Sequence, residues 1–227
     1  MIALKERALK PFVFTITAAY IALTVLYFSP LEIGWKLCFP VALLFIASLW
    51  TTPGAISIAL LFSALGDAAG ACGNILAQIG FFALGHICYI SFFIRRYRTK
   101  IEPGKRLSAR AVAHLSVFSL CVLALMAISF ICVVPQAPAG TIRIGVALYT
   151  IIISAMLFMA MLQRSSLYTL GAALFVISDL ILAWNLFVEP ISHAGAMIMT
   201  TYYFAQWLIF IRATPYKVPH PVKLMRF

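Results

Sequence analysis

From Pro11 to Arg212 the sequence is a succession of apolar stretches, each near the length needed to cross a bilayer, broken by proline, glycine or basic residues. A helix spanning about 30 Å of hydrocarbon needs roughly 20 residues, with ~17 as a lower bound. Eight stretches qualify: 11–29, 36–51, 54–72, 77–95, 111–133, 142–162, 167–188 and 194–212. Pro30, Pro53, Pro135, Pro138 and Pro190 fall between them, where a missing backbone donor does least harm. The second stretch is short, and its separation from the third rests on Thr51-Thr52-Pro53-Gly54. Composition agrees, with 64% hydrophobic and 10% charged residues, against roughly 45–50% and 25% in soluble domains. The expected fold is an all-α polytopic bundle of eight transmembrane helices, a single integral membrane domain over 1–227.

Charge tests that count. A net charge of +11 could suggest nucleic acid, but the basic residues sit between the apolar stretches, as the positive-inside rule requires. With eight spans and a cytoplasmic start, fifteen of the 17 Lys and Arg residues fall inside, leaving Lys36 and Arg143 outside. Both termini are then expected to be cytoplasmic, and no nucleic-acid partner is expected. Merging the second and third spans would put the basic run Arg95–Arg110 outside, so the division is supported. Lys5, Arg7 and Lys10 precede the first span like the start of a signal peptide. No small-residue cleavage site follows, so that span is read as retained.

Ionisable residues inside the spans are the functional candidates. A carboxylate at the centre of a membrane helix costs about 3 kcal/mol or more unless paired, solvated or protonated. Asp67 and Asp179 are the two, each about halfway along an outward-running span, at ~18–20 Å from the inner surface by 1.5 Å per residue. His86 and Tyr89, one helical turn apart, reach similar depth, as do Tyr203 and Gln206. Four helices thus put polar groups in one layer. Asn185 follows Asp179 by six residues, and Lys36 opens the second span, where snorkelling to the interface is the plain explanation. Gly66-xxx-Gly70 is a helix-packing pattern that by itself explains the small residues around Asp67. Phe62 before Asp67 and Phe175 before Asp179 hint that two four-helix halves repeat in parallel.

Several chemistries are absent from the sequence. There is no GxSxG elbow, HExxH or phosphate-cradling glycine loop, and His86, His114, His193 and His220 lie at different depths, against a multi-histidine zinc site. No metal and no cofactor are expected. Cys38, Cys72, Cys88, Cys121 and Cys132 form no CxxC and are expected to be buried thiols. Intramembrane aspartyl proteases also use two membrane aspartates, but Ala64-Leu65-Gly66-Asp67 lacks the first glycine of GxGD and no PAL motif follows.

Read in order, Lys36, Leu65-Gly66-Asp67, Gly80-Phe81-Phe82-xxx-His86-xx-Tyr89, Gly171-Ala172-xx-Phe175-xx-Ser178-Asp179 and Tyr203-xx-Gln206 resemble the lysoplasmalogenase family of YhhN-like membrane proteins over residues 31–212. Lys36-Leu37 departs from the Lys-Pro expected there. The resemblance implies an eight-helix hydrolase that cleaves the vinyl-ether bond of lysoplasmalogen to a fatty aldehyde and a glycerophospho-alcohol. It implies a lysophospholipid substrate, contact with membrane lipids, and location in a bacterial inner membrane; the oligomeric state stays unassigned. Enol-ether hydrolysis starts with proton transfer to carbon and passes through an oxocarbenium ion, so an acid and an ionised carboxylate are the logic it shares with glycosidases. Asp67, Asp179 and His86 are the expected catalytic residues; Lys36, Tyr89, Ser178, Asn185, Tyr203 and Gln206 are the expected substrate contacts. A transporter or lipid-binding protein could use the same polar layer, and a purely structural protein would need neither aspartate.

Overall fold

The computed structural model describes residues 2–33, 35–99 and 109–214. The charges at 100–108 and 215–227, His220, and the side chains of Lys5, Arg7, Lys10, Arg110 and His114 lie outside that description. Among the described residues there are eight α-helices and no strand. They are α1 (Ile2–Phe28), α2 (Phe39–Thr51), α3 (Gly54–Ala71), α4 (Ile75–Arg98), α5 (Ala109–Ile128), α6 (Thr141–Met161), α7 (Ser166–Phe187) and α8 (Ala194–Ala213). Seven of these are long and apolar enough to cross a membrane. The outer surface fits that setting: Phe14, Ile131 and Trp50 are 76%, 73% and 68% exposed, while Asp67, His86 and Gln206 are buried. Water would reverse that arrangement; lipid favours it.

Local sequence accounts for the boundaries. Pro53 separates α2 from α3 and Pro40 lies in the first turn of α2, where its lost donor has no partner anyway. Gly73, at φ +71°, takes the left-handed position after α3, and the amides of Gly73 and Asn74 return to the carbonyls of Gly70 and Ala69. Asn74 then caps α4 by accepting from the Ala77 amide at 3.0 Å. Past Ile128, α5 continues as a π-helical turn over Ser129–Val133 and a 3₁₀ turn over Val134–Gln136.

Two expectations shift. The second span begins at Phe39, not residue 36, because Trp35 at φ +64° and the Cys38 amide bonded to the Trp35 carbonyl make a turn of 35–38. At 13 residues α2 is only ~20 Å long by 1.5 Å per residue, short of a full crossing. The five cysteines are free, but Cys72 and Cys121 are exposed and the other three half-buried. Cys72 ends α3 at a tight turn, and Cys121 lies on an outward face of α5.

Packing is densest in two helix pairs, α3 with α4 and α7 with α8. Glycines set both seams. A Cβ on Gly85 would stand 3.2 Å from the Ala59 carbonyl of α3, and one on Gly171 would stand 3.1 Å from the Ala205 carbonyl of α8. Buried hydroxyls such as Ser63 and Thr150 bond back to carbonyls one turn earlier. Helix direction alternates along the chain, so the turns at 35–38, 72–74, 137–140 and 188–193 gather at one end. Arg95, Arg96, Arg98, Arg164 and Arg212 gather at the other, the basic end.

Candidate functional site

Each aspartate is held by a tyrosine of another helix, Asp67 from the far half of the chain and Asp179 from its own. Asp67, on α3 and 4% exposed, accepts a hydrogen bond at Oδ2 from the Tyr202 hydroxyl of α8 at 3.0 Å. Asp179, on α7, accepts at Oδ2 from the Tyr149 hydroxyl of α6. His86 of α4 stands beside Tyr149 and Asp179: its Nε2 lies 2.8 Å from the Tyr149 oxygen and 3.7 Å from Asp179 Oδ2. A phenol has one proton. With Asp179 ionised, Tyr149 donates to it and accepts from His86 Nε2–H. With Asp179 protonated, the same contacts can carry the proton the other way, to an unprotonated Nε2. The three groups make a chain along which a proton can move in either direction. His86 Nδ1 is buried and has no hydrogen-bond partner.

Rings enclose this centre. Phe175 meets His86 edge-on at 4.6 Å and Tyr202 at 5.3 Å, and Phe82 meets Tyr202 at 5.8 Å. Phe82 in turn lies on Gly66, where a Cβ would come within 3.0 Å of its ring carbons. The glycine of the Leu65-Gly66-Asp67 motif therefore seats the ring that borders the carboxylates.

Both aspartates, with Ser178 and Tyr202, face a cavity of about 380 Å³ that opens toward the loop end past Leu37, Gly73 and Gly195. A larger space of about 670 Å³ lies at the basic end between α4, α5, α6 and α7. Its described lining offers hydroxyls and Arg164 but neither carboxylate nor histidine, so it lacks a general acid or base of this kind.

The other expected residues are spread around this centre. Ser178 lines the cavity and donates to the Ile198 carbonyl at 3.1 Å, tying α7 to α8. Tyr89 donates to Gln206 Oε1 at 2.6 Å, both fully buried and away from the cavity wall, with Gln206 Nε2 left without a partner. Tyr203 reaches the Leu37 carbonyl at 2.7 Å and Lys36 Nζ reaches the Ser29 and Leu31 carbonyls at 2.9 and 2.8 Å, so both hold the loop at the cavity mouth. Asn185 accepts from the Ile191 amide at 2.8 Å and fastens the turn between α7 and α8. Tyr149 and Tyr202 were not singled out by sequence reasoning. Tyr149 carried a signal: it is a lone phenol eight residues into its span, at the depth of Asp179. Tyr202 was hidden beside Tyr203, and only the helix rotation decides which of the two faces Asp67.

Fold and site together define a polytopic α-helical membrane protein with a buried two-carboxylate centre open to one end of the bundle. The chain belongs to the YhhN family, whose model matches residues 31–213. It is similar to lysoplasmalogenase TMEM86B of Sus scrofa, 34% identical over 152 residues, which is 66% of this chain and 59% of that protein. It is also similar to lysoplasmalogenase TMEM86B of Homo sapiens, 47% identical over 74 residues, 33% of this chain and 32% of the relative. Lysoplasmalogenase TMEM86A of Homo sapiens is 45% identical over 49 residues, 22% of this chain and 20% of the relative. In the first two of these matches the chain spans about three fifths and one third of the relative's length. No solved structure gives a significant match.

Proposed function

We propose that this protein is a membrane-embedded hydrolase that cleaves the vinyl-ether bond of a lysoplasmalogen to a fatty aldehyde and a glycerophospho-alcohol. The observation that carries the reading is the contact chain His86–Tyr149–Asp179, which opens onto the same cavity as a second carboxylate, Asp67. The name borne by the similar proteins supports the same reaction.

In this reading, protonated Asp179 delivers its proton to the β-carbon of the enol ether, and the electron pair of the double bond forms the new C–H bond. The oxocarbenium ion is stabilised by ionised Asp67, oriented by Tyr202. Water adds to the cationic carbon and gives up a proton to Asp179, with His86 and Tyr149 taking or returning it. The hemiacetal then breaks its C–O bond as its hydroxyl proton is passed to the departing glycerol oxygen, releasing aldehyde and alcohol. One water is consumed and no proton is gained or lost overall. Such acid–base assistance contributes typically ~10²–10⁴-fold. Tyr89 and Gln206 act here as a buried support beneath the centre, and Lys36, Tyr203 and Asn185 as holders of the loops around the entrance. The basic end is taken as cytoplasmic, in a bacterial inner membrane, so the cavity opens to the opposite side.

The test is aldehyde release from vinyl-ether lysophospholipid by purified protein, beside Asp67→Asn and Asp179→Asn. Release by wild type, lost in both variants at unchanged thermal stability, is the expected result. Full turnover in either folded variant would overturn the mechanism, and no aldehyde from folded wild type would overturn the reaction.

A further inference from the structure

The cavity over Asp67 meets a smaller space at Asp179, and the seam between α4 and α7 joins the two. α4 packs closely on α3 and α6, and α7 on α8 and α6, whereas α4 and α7 are not a closely packed pair among the described residues. Rings fill the gap between them on the basic side: Phe175 lies against Phe82 and His86 at 6.3 and 4.6 Å, and Tyr168 lies against Phe92 and Phe93 at 5.9 and 5.2 Å. Toward the loop end the rings stop. There Ile75 and Gln78 of α4 face Leu182 and Leu186 of α7, and all four border both the 380 Å³ cavity and a second space of about 60 Å³. The seam is a slot with Asp179 at its floor.

The two arms differ chemically. The large arm carries Asp67, Ser178 and Tyr202 and reaches the loops. The small arm runs between α4, α6 and α7, and apart from the residues at the junction its walls are Ile79, Val146, Ala183, Phe187 and Tyr149, whose hydroxyl is engaged with His86 and Asp179. Such walls suit an apolar chain and not a charged head group, whose desolvation they would leave uncompensated.

Building on the ether-hydrolase reading, we infer that the two arms hold opposite ends of one single-chain amphiphile: the glycerophospho head in the large arm, the alkyl chain in the small one. In a lysoplasmalogen the vinyl ether lies where chain meets glycerol. A ligand laid through the slot in this way brings that bond to Asp179, where the arms join. Chain length is then read by Ile79 and Ala183, and head-group size by the wall of the large arm around Ile198.

The experiment measures binding of saturated 1-O-alkyl lysophospholipids, which lack the double bond and are not hydrolysed by this route, across a series of chain lengths in nanodiscs. Wild type, Ala183→Phe, Ile79→Phe and Ile198→Phe are compared, each checked for unchanged thermal stability. Wild-type affinity is expected to rise with chain length. The two small-arm variants flatten that rise and weaken the longest analogue about tenfold, the worth of roughly two buried methylenes, while sparing the shortest. Ile198→Phe weakens all lengths alike. If both folded small-arm variants keep the wild-type length dependence, the arm assignment is overturned and the hydrolase reading stands. If folded wild type binds no ether lysolipid and releases no aldehyde from the vinyl-ether compound, that reading falls and the arm assignment with it.

Discussion

The Tyr149 hydroxyl stands between His86 and Asp179, 2.8 Å from the imidazole Nε2 and in contact with the carboxylate. Removing that one oxygen breaks both contacts and leaves the ring in place. Tyr149→Phe is therefore expected to lower aldehyde release by ~10²-fold with a melting temperature close to wild type. Tyr202→Phe removes the hydrogen bond to Asp67 and is expected to cost less turnover, because in the proposed mechanism Asp67 stabilises charge without passing a proton. Steady-state kinetics on both variants check the order; an equal loss would assign the two aspartates equal parts.

Gly66 and Phe82 form a second coupled pair. A Cβ at Gly66 would press to 3.0 Å on the Phe82 ring, and overpacking of this kind typically costs about 1–3 kcal/mol. Gly66→Ala is expected to lower thermal stability and ligand affinity together. Adding Phe82→Leu, which shortens the obstructing side chain, is expected to recover part of the stability. A double-mutant cycle on melting temperature measures that coupling.

The two glycines of the seventh and fourth helices are not equivalent, although both belong to the recognisable sequence pattern. At Gly171 a Cβ would meet Ile209 at 2.9 Å and the Ala205 carbonyl at 3.1 Å, whereas nothing lies within 4 Å of one at Gly80. Gly171→Ala is expected to push α7 from α8 and destabilise by roughly 1–3 kcal/mol. Gly80→Ala is expected to be neutral or to stabilise by up to ~1 kcal/mol through helix propensity. Denaturation of the two variants in the same detergent compares them directly.

Orientation is open to a labelling experiment. Cys72 is exposed at the turn after α3, at the loop end of the bundle. In intact cells carrying a variant with the other four cysteines replaced, a membrane-impermeant maleimide is expected to label Cys72 without permeabilisation. Labelling only after permeabilisation would reverse the orientation proposed above.

Much of the architecture was legible because each boundary is local chemistry. Thr52-Pro53 divides α2 from α3, Gly73-Asn74 closes one helix and caps the next, and the expected limits of α3, α6, α7 and α8 fall within a residue of those observed. The start of α2 was not legible, since the left-handed Trp35 has no sequence signature. At the site, depth along each helix was readable from counting and brought Asp67, Asp179 and His86 into one layer. Rotation was not. Whether Tyr202 or Tyr203 turns inward depends on how α8 seats against α3 and α7, which Gly171 and its neighbours decide. Tyr203 and Lys36 instead tie down the loop at the mouth, through contacts with carbonyls that no side-chain pattern encodes.

The bond between Asp67 and Tyr202 joins residues 135 positions apart, and that separation is also an interval of time. At ~5–20 residues per second of synthesis, Asp67 is made roughly 7–27 seconds before the residue that will hold it. The last helix is the one that finishes the centre, so a nascent chain interrupted before α8 carries an aspartate without its phenol. Assembly of this bundle thereby keeps the Asp67 side of the cavity incomplete until the whole set of helices is in the membrane.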